Sequence, residues 1–349
     1  MSVEIWPRIE PEQLKVAVDA SEKRELDWLV QELQETLTNL KDGLEHCYAL
    51  LAPIDPGCTL VLSTPRNEIV KGTITRIGTR IVKGTIHLRL RTLPHQTITI
   101  NPDNPIHLQP LTTLHSLLTH SIDLLTLTLS YTSSSQATAP FLSAQLRLLS
   151  QSLSESISLL KGPGTNINNN NPSAPPTTDP SWTSRSASPS HFIPPLPTIS
   201  PTQQQSLSFF LTIQESSIIL YLRTLEPANA PVHFSTKLAL AIGTARRLEH
   251  DEADRVFGYN TSTSTPPPHQ QQHTSDQSEF PPLGPVLSGT RTKRKEIDVY
   301  VREKVRVESA DPALLSLTAK LTALGHTLAL ARRNLAAVMG EHDLGLLED

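Results

Sequence analysis

The sequence predicts an α+β protein: an elongated two-domain molecule in which an antiparallel helical bundle, built from the amino- and carboxy-terminal helices, carries an inserted antiparallel β domain and long disordered insertions. Three observations predict it. Leucines recur at alternating steps of four and three near both chain ends, the seam of amphipathic helices. Between Cys58 and Leu108 the apolar period shortens to two, the mark of half-buried strands. Two long stretches are dominated by Pro, Ser, Thr, Asn and Gln and hold too little apolar material to order themselves.

Residues 1–18 form a loose leader, although Trp6 and Ile9 are apolar enough to dock on the bundle. A bundle helix over 19–52 starts where Asp19 and Glu22 have capping-box spacing and ends before Pro53 and Pro56. Its seam is Leu26, Val30, Leu33, Leu37, Leu40 and Leu44, continued by Cys47 and Leu51. Burying such side chains yields roughly 1.5 to 3 kcal/mol each, against roughly 1 to 2 kcal/mol per residue for ordering the backbone. The helix therefore needs a partner. Gly43, in its interior, weakens it by about 1 kcal/mol relative to alanine.

The β meander domain spans 58–108, and the hexad Ile-Val-Lys-Gly-Thr-Ile occurs in it twice, from Ile69 and from Ile81. Ile86, Leu88 and Leu90 alternate with His87, Arg89 and Arg91, so one face is buried and one wet. Gly78 and Thr79 supply a hairpin turn, and Pro94, Pro102 and Pro105 interrupt the later segments. Bundle helices occupy 111–161, first along Leu111, Leu114, Leu118, Ile122, Leu125 and Leu129, where frequent threonine leaves a strand as the alternative. The second runs from Pro140 to Lys161.

A disordered low-complexity linker covers 162–205. Residues 206–258 hold an apolar stretch whose Leu207, Phe210, Leu211, Ile218, Leu222 and Leu225 suggest a buried helix, then an ambiguous segment from Val232 to Ala245. A second disordered linker spans 259–295, and 296–308 alternates as one or two strands. The carboxy-terminal bundle helix, 311–340, has Asp311 as N-cap, Pro312 in first position and Gly340 at its close. Its seam is Leu314, Leu317, Leu321, Leu324, Leu328 and Leu335.

In heptad terms the opening helix places no opposite charges at the flanks of its seam, and Leu29 and Leu50 widen its apolar stripe. That pattern favours packing within one chain over a homodimeric zipper, with the two chain ends antiparallel.

The formal net charge of -4 gives no bias toward nucleic acid or membrane. Two cysteines without a pattern argue against a disulfide scaffold or zinc site and fit a reducing compartment. The start lacks the features of a signal peptide and no stretch approaches a membrane span, so cytosol or nucleus is expected. None of the common nucleotide, acyl-transfer or metalloprotease motifs is present, so no catalytic, cofactor-binding or metal residues are assigned. His115 and His120 read as solvated or capped, and Asp251 and Glu252 as a solvated helix face. The candidate interaction face is the basic run Arg66, Lys71, Arg76, Arg80, Lys83, Arg89 and Arg91, opposed only by Glu68. An acidic protein, anionic lipid or nucleic acid could meet it, or it could simply protect sheet edges. Without interleaved aromatics, nucleic acid ranks below an acidic protein surface.

Glu25-Leu26-Asp27-Trp28-Leu29 opening a leucine-rich helix, Val70-Lys71-Gly72 opening the sheet, the helical block near Leu114 to Leu125, the apolar stretch at Leu207 to Leu225 and the closing leucine helix occur in an order that resembles the Rogdi leucine-zipper family. This family includes the small subunit of the fungal RAVE complex. The resemblance covers roughly two thirds of the chain and implies the fold class given above, with no catalysis and no cofactor. It implies action with a WD-repeat large subunit, an SCF-type adaptor and peripheral-sector subunits of the vacuolar proton ATPase, helping the detached peripheral sector rejoin its membrane sector. The implied location is cytoplasmic, with recruitment to vacuolar or endosomal membranes through partners. The alternative is a dimeric coiled-coil adaptor or vesicle-tethering subunit.

Overall fold

The computed structural model describes residues 10–133, 138–163, 180–197, 205–229, 250–260 and 296–339. Within them the chain is α+β, with five helices and two antiparallel sheets. Helix α1 (Pro11–Leu50) leads into β1 (Cys58–Ser63), β2 (Val70–Ile77), β3 (Arg80–Leu88), β4 (Gln96–Ile100) and β5 (Ile106–His107). Helices α2 (Gln109–Ser133) and α3 (Ala139–Lys161) follow, then the short α4 (Trp182–Arg185) and β6 (Phe192–Ile193). Strands β7 (Ser206–Gln214), β8 (Ser217–Pro227), β9 (Val256–Asn260) and β10 (Glu296–Ala310) precede α5 (Pro312–Val338).

The four long helices pack side by side, α1 between α2 and α5, and α3 between the same two. Leu33, Leu37, Leu40 and Leu44 of α1 and Leu314, Leu317, Leu321, Leu328 and Leu335 of α5 are buried, while Leu26, Val30 and Leu324 are half-buried against them. The seams are thus filled within the chain. Gly43 has a packing reason: a Cβ there would lie 2.5 Å from Leu324 Cδ2, so the glycine lets α5 approach closely.

The first sheet runs β1-β2-β3-β4-β6, with β5 also paired to β3. In the β2–β3 hairpin the repeated hexads cross-pair: Gly72 faces Ile86, Ile74 faces Gly84, and Thr73 faces Thr85 between them. The turn at Gly78 has φ +58° as the sequence predicts. Leu60, Leu62, Ile74, Ile81 and Ile86 of its inner face join the same buried cluster as the helices. So does the inner face of the second sheet, ordered β7-β8-β10-β9, through Phe209, Leu220, Leu222, Val305 and Val307. A smaller cluster of Trp182, Leu225, Phe257, Val299 and Val301 stands apart from it.

Several expectations need correction. The predicted buried helix at Leu207 to Leu225 is the β7–β8 hairpin. Its tight turn is Glu215-Ser216, both residues at positive φ (49° and 61°), without the Asn-Gly or Gly signal that marks such turns. Their N–H groups donate instead to the carbonyls of Lys161 and Leu160 at the end of α3, so tertiary contact supplies what the local sequence lacks. Gly162 sits at this junction with φ +73°, and a Cβ there would lie 2.3 Å from the Ile213 carbonyl oxygen. Gly162→Ala is expected to destabilise the fold by about 2 kcal/mol, visible as a lower urea midpoint.

Helix α1 starts at Pro11, not Asp19, because Pro11 is preorganised for the first helical position and Glu12 favours the first turn. Trp6 and Ile9 lie outside the described residues. Residues 180–197 of the expected 162–205 linker are ordered: Trp182, Phe192 and Leu196 are buried, and a few large side chains anchor an otherwise polar run. Tyr259 and Asn260 belong to β9 rather than to a linker. Residues 230–249, with the ambiguous segment, and 261–295 are outside the described residues, as is Gly340. The 296–308 region is one strand, continued to Ala310 and bent by a bulge between Val301 and Glu303. Contrary to the expectation of no membrane-length segment, α5 is long and apolar enough by length and composition to cross a membrane, with mean hydropathy 1.3 over its best window. Its leucine face is instead covered by α1 and α3, and Asp311 caps its start.

Candidate partner-binding surface

The outward face of the first sheet follows from its register. Lys71 faces His87, Thr73 faces Thr85, and Thr75 faces Lys83, so these side chains share one side. Thr59, Val61 and Ser63 of β1 and Thr97 and Thr99 of β4 extend that face on both flanks. β-branched threonine suits a pleated surface with one side in water, and Thr59 and Thr75 hydroxyls bond each other at 3.2 Å. The result is a flat threonine platform. Val61, 62% exposed, and Ile193, 53% exposed and paired with Thr99, are apolar residues standing on it.

The predicted basic residues divide around this platform. Lys71 and Lys83 stand on it, four residues apart along the strands and so about 13 Å from each other. Arg89 lies just beyond β3, its N–H donating to the Ile69 carbonyl at 2.8 Å, and with Arg66 and Arg91 it is exposed at the end that carries Lys71. Arg66 occupies a turn at φ 60° and reaches Glu68 at 4.0 Å. Arg80 is half-exposed at the hairpin end. Arg76 does not belong to the face.

Arg76 is on the core side and only 3% exposed. Its Nε donates to Asp311 Oδ2 at 2.6 Å and its Nη1 to the Gly78 carbonyl at 2.6 Å. Asp311 Oδ1 meanwhile accepts from the N–H groups of Ala313 (3.0 Å) and Leu314 (3.4 Å), capping α5. One carboxylate therefore fastens the last helix to the first sheet. The sequence grouped Arg76 with the other cations by charge alone. Alternation along β2 sets it on the side of Gly72 and Ile74, and the bulge at this point leaves Val82 of β3 unpaired, so that Arg76 faces the buried Ile81.

Two further polar joints were missed. Glu303 of β10, buried, accepts from the Arg91 and Thr92 N–H groups and from the Thr92 hydroxyl, tying the loop after β3 to the second sheet. On the other side of that sheet Arg223 pairs with Glu252 through bonds of 2.7 and 2.8 Å and lies 4.6 Å over the Trp182 ring. Lys304 reaches both Asp251 and Glu252. The expected solvated helix face at Asp251 and Glu252 is thus a turn whose Glu252 is fully buried. Burial pushes the Glu252 carboxyl up, but Arg223 and Lys304 outweigh it and hold it below the usual range. His115 is half-buried against Tyr48, ring centres 4.8 Å apart, rather than solvated.

Cys47 fills a seam position, and burial pushes its thiol up to about 11. Among the described residues no three His, Cys, Asp or Glu side chains gather as a metal site requires. The arrangement offers a largely exposed threonine face, with Thr75 buried beside Thr59, cations at both ends and the buried Arg76–Asp311 pair behind it. Such a surface suits an acidic protein partner better than a small ligand.

The family described as Rogdi leucine zipper containing protein matches residues 25–336. No curated protein matches the chain.

Proposed function

From the premise that the chain belongs to the Rogdi leucine zipper family, we propose that it is a non-catalytic subunit of a complex that promotes reassembly of the vacuolar-type proton ATPase. It acts through protein surfaces. The single observation that supports this beyond family membership is the threonine platform with Lys71 and Lys83, an exposed basic face on which no ion pair forms among the described residues. Its partners are a WD-repeat large subunit, an SCF-type adaptor and the peripheral ATPase sector, and its place is the cytoplasm with recruitment to the vacuolar or endosomal surface. The finer architecture belongs to the same reading: an elongated molecule whose helical bundle and β domain present separate surfaces. A dimeric zipper adaptor is less favoured, because Leu33, Leu37, Leu40 and Leu44 are already buried inside one chain.

The test is recovery of the tagged protein from cytosol after energy depletion has dissociated the pump, with its companions identified by mass spectrometry. A WD-repeat protein and peripheral ATPase subunits are expected. Lys71→Glu with Lys83→Glu should lower their recovery at least about tenfold, as like charges replace complementary ones, while the thermal midpoint stays unchanged. Recovery of the protein alone, or of tethering factors, contradicts the proposal.

A further inference from the structure

Helix α1 is longer than the bundle that supports it. The Gly43–Leu324 contact fixes the antiparallel register of α1 and α5, and counting from it brings Val338 alongside Leu29. Apart from the half-buried Ser21, burial in α1 accordingly starts at Leu26, and residues 11–25 run about 20 Å past that point. The bundle seam does not continue into them. Its upstream positions would be Lys23, Asp19, Val16 and Glu12, three of them charged.

A different apolar face appears instead. Leu14, Val18, Ser21, Glu25 and Trp28 follow steps of four and three and so share one side of the helix. Leu14 is 51% exposed, Val18 45% and Trp28 62%, so a stripe with a tryptophan at its base stands open to water. Tryptophan in that setting is a typical anchor of protein interfaces. Charge narrows the choice of occupant. Across residues 11–28 carboxylates outnumber basic side chains five to three, and the next seven residues add Glu32 and Glu35 with no basic residue. A second copy laid along this stretch would set like charges against each other, and an anionic membrane would be repelled.

We propose that residues 11–28 of α1 are a docking helix for a basic amphipathic helix of a partner protein, whose apolar residues cover Leu14, Val18 and Trp28 while its Lys and Arg flank them. The assignment rests on exposure and charge and stands independently of the proton-pump reading. It is tested in the full chain by placing the photo-crosslinker p-benzoylphenylalanine at Val18 in cells and sequencing the crosslinked peptides. The expected adduct is a heterologous segment of net positive charge with apolar residues at helical spacing. Reversing Glu22, Glu25 and Asp27 to lysine together should lower its yield at least about fivefold, with helical circular dichroism unchanged. An adduct with a second copy, with lipid, with another part of the same chain or with an acidic segment overturns the proposal, as does no adduct. The identity of the captured protein tests the pump-assembly reading, while the charge and spacing of the captured segment test this one.

Discussion

Arg76→Met is expected to destabilise the protein by about 3 to 5 kcal/mol, the effect of leaving one member of a buried ion pair alone. Asp311 would keep its bonds to the α5 N-terminus but lose the Arg76 Nε donor at 2.6 Å, and the Gly78 carbonyl would lose its Nη1 partner. Asp311→Ser, which retains a capping oxygen, should cost a similar amount because Arg76 is then the buried charge without a partner. The double variant Arg76→Met with Asp311→Ser should recover much of the loss, since neither charge remains. Urea titrations of the three variants measure this coupling directly. Additive single effects would show that the pair does not join sheet and helix in solution.

Glu252→Gln carries the second large effect. It leaves the buried Arg223 facing a neutral amide, while Lys304 keeps Asp251, with an expected loss of about 3 to 5 kcal/mol. The same pair gives a pH signature. Because the native state holds the Glu252 and Asp251 carboxyls below their ordinary values of 4.5 and 3.8, it binds fewer protons than the unfolded chain in that range. The stability they contribute is complete above the unfolded values and is lost as pH falls through the lowered native ones. The contribution of these two carboxyls to the denaturation midpoint should therefore be constant near neutrality and fall below about pH 4.5, and Glu252→Gln should flatten that fall. An unchanged acid profile in the variant would mean that the Arg223 pair is not formed.

Where one residue decides a structure by its neighbours in sequence, the sequence could be read directly. Leu37 and Leu321 announce helices by spacing, and Ile86 and Leu88 announce a strand by alternation. Asp311-Pro312 announces a helix start. The failures share a different cause. The β7–β8 turn depends on hydrogen bonds from Glu215 and Ser216 to α3, more than fifty residues earlier, and nothing local to Glu215-Ser216 asks for positive φ. The β-branched and aromatic content of Phe209 to Leu222 was the available signal, but short apolar runs fit both periods.

The exposure of Lys71, Lys83 and Arg89 was legible in the sequence, while the threonines between them were not singled out. The surface was misread at Arg76, which was grouped by charge although its place in the alternation with Gly72 and Ile74 is core-side. What has no local signal is the partner that makes a buried arginine tolerable there, Asp311, far along the chain. Ile193 on the same platform had no signal, since it arrives from the low-complexity stretch through β6. The exposed stripe of α1 was hidden by the helix start placed at Asp19, which removed Leu14 and Val18 from the helix.

Because α5 packs between α1 and α3 and its first turn is fastened to β2 through Arg76, the last described helix completes a structure begun by the first. During synthesis α1, α2 and α3 leave the ribosome with their leucine seams open on the side that α5 will fill. Translation of the residues from Lys161 to Val338 takes roughly 10 to 40 s at ordinary elongation rates. For that interval the nascent chain presents a half-built bundle whose leucine faces lack the helix that covers them in the finished fold. Truncation before Pro312 would make that exposed state permanent.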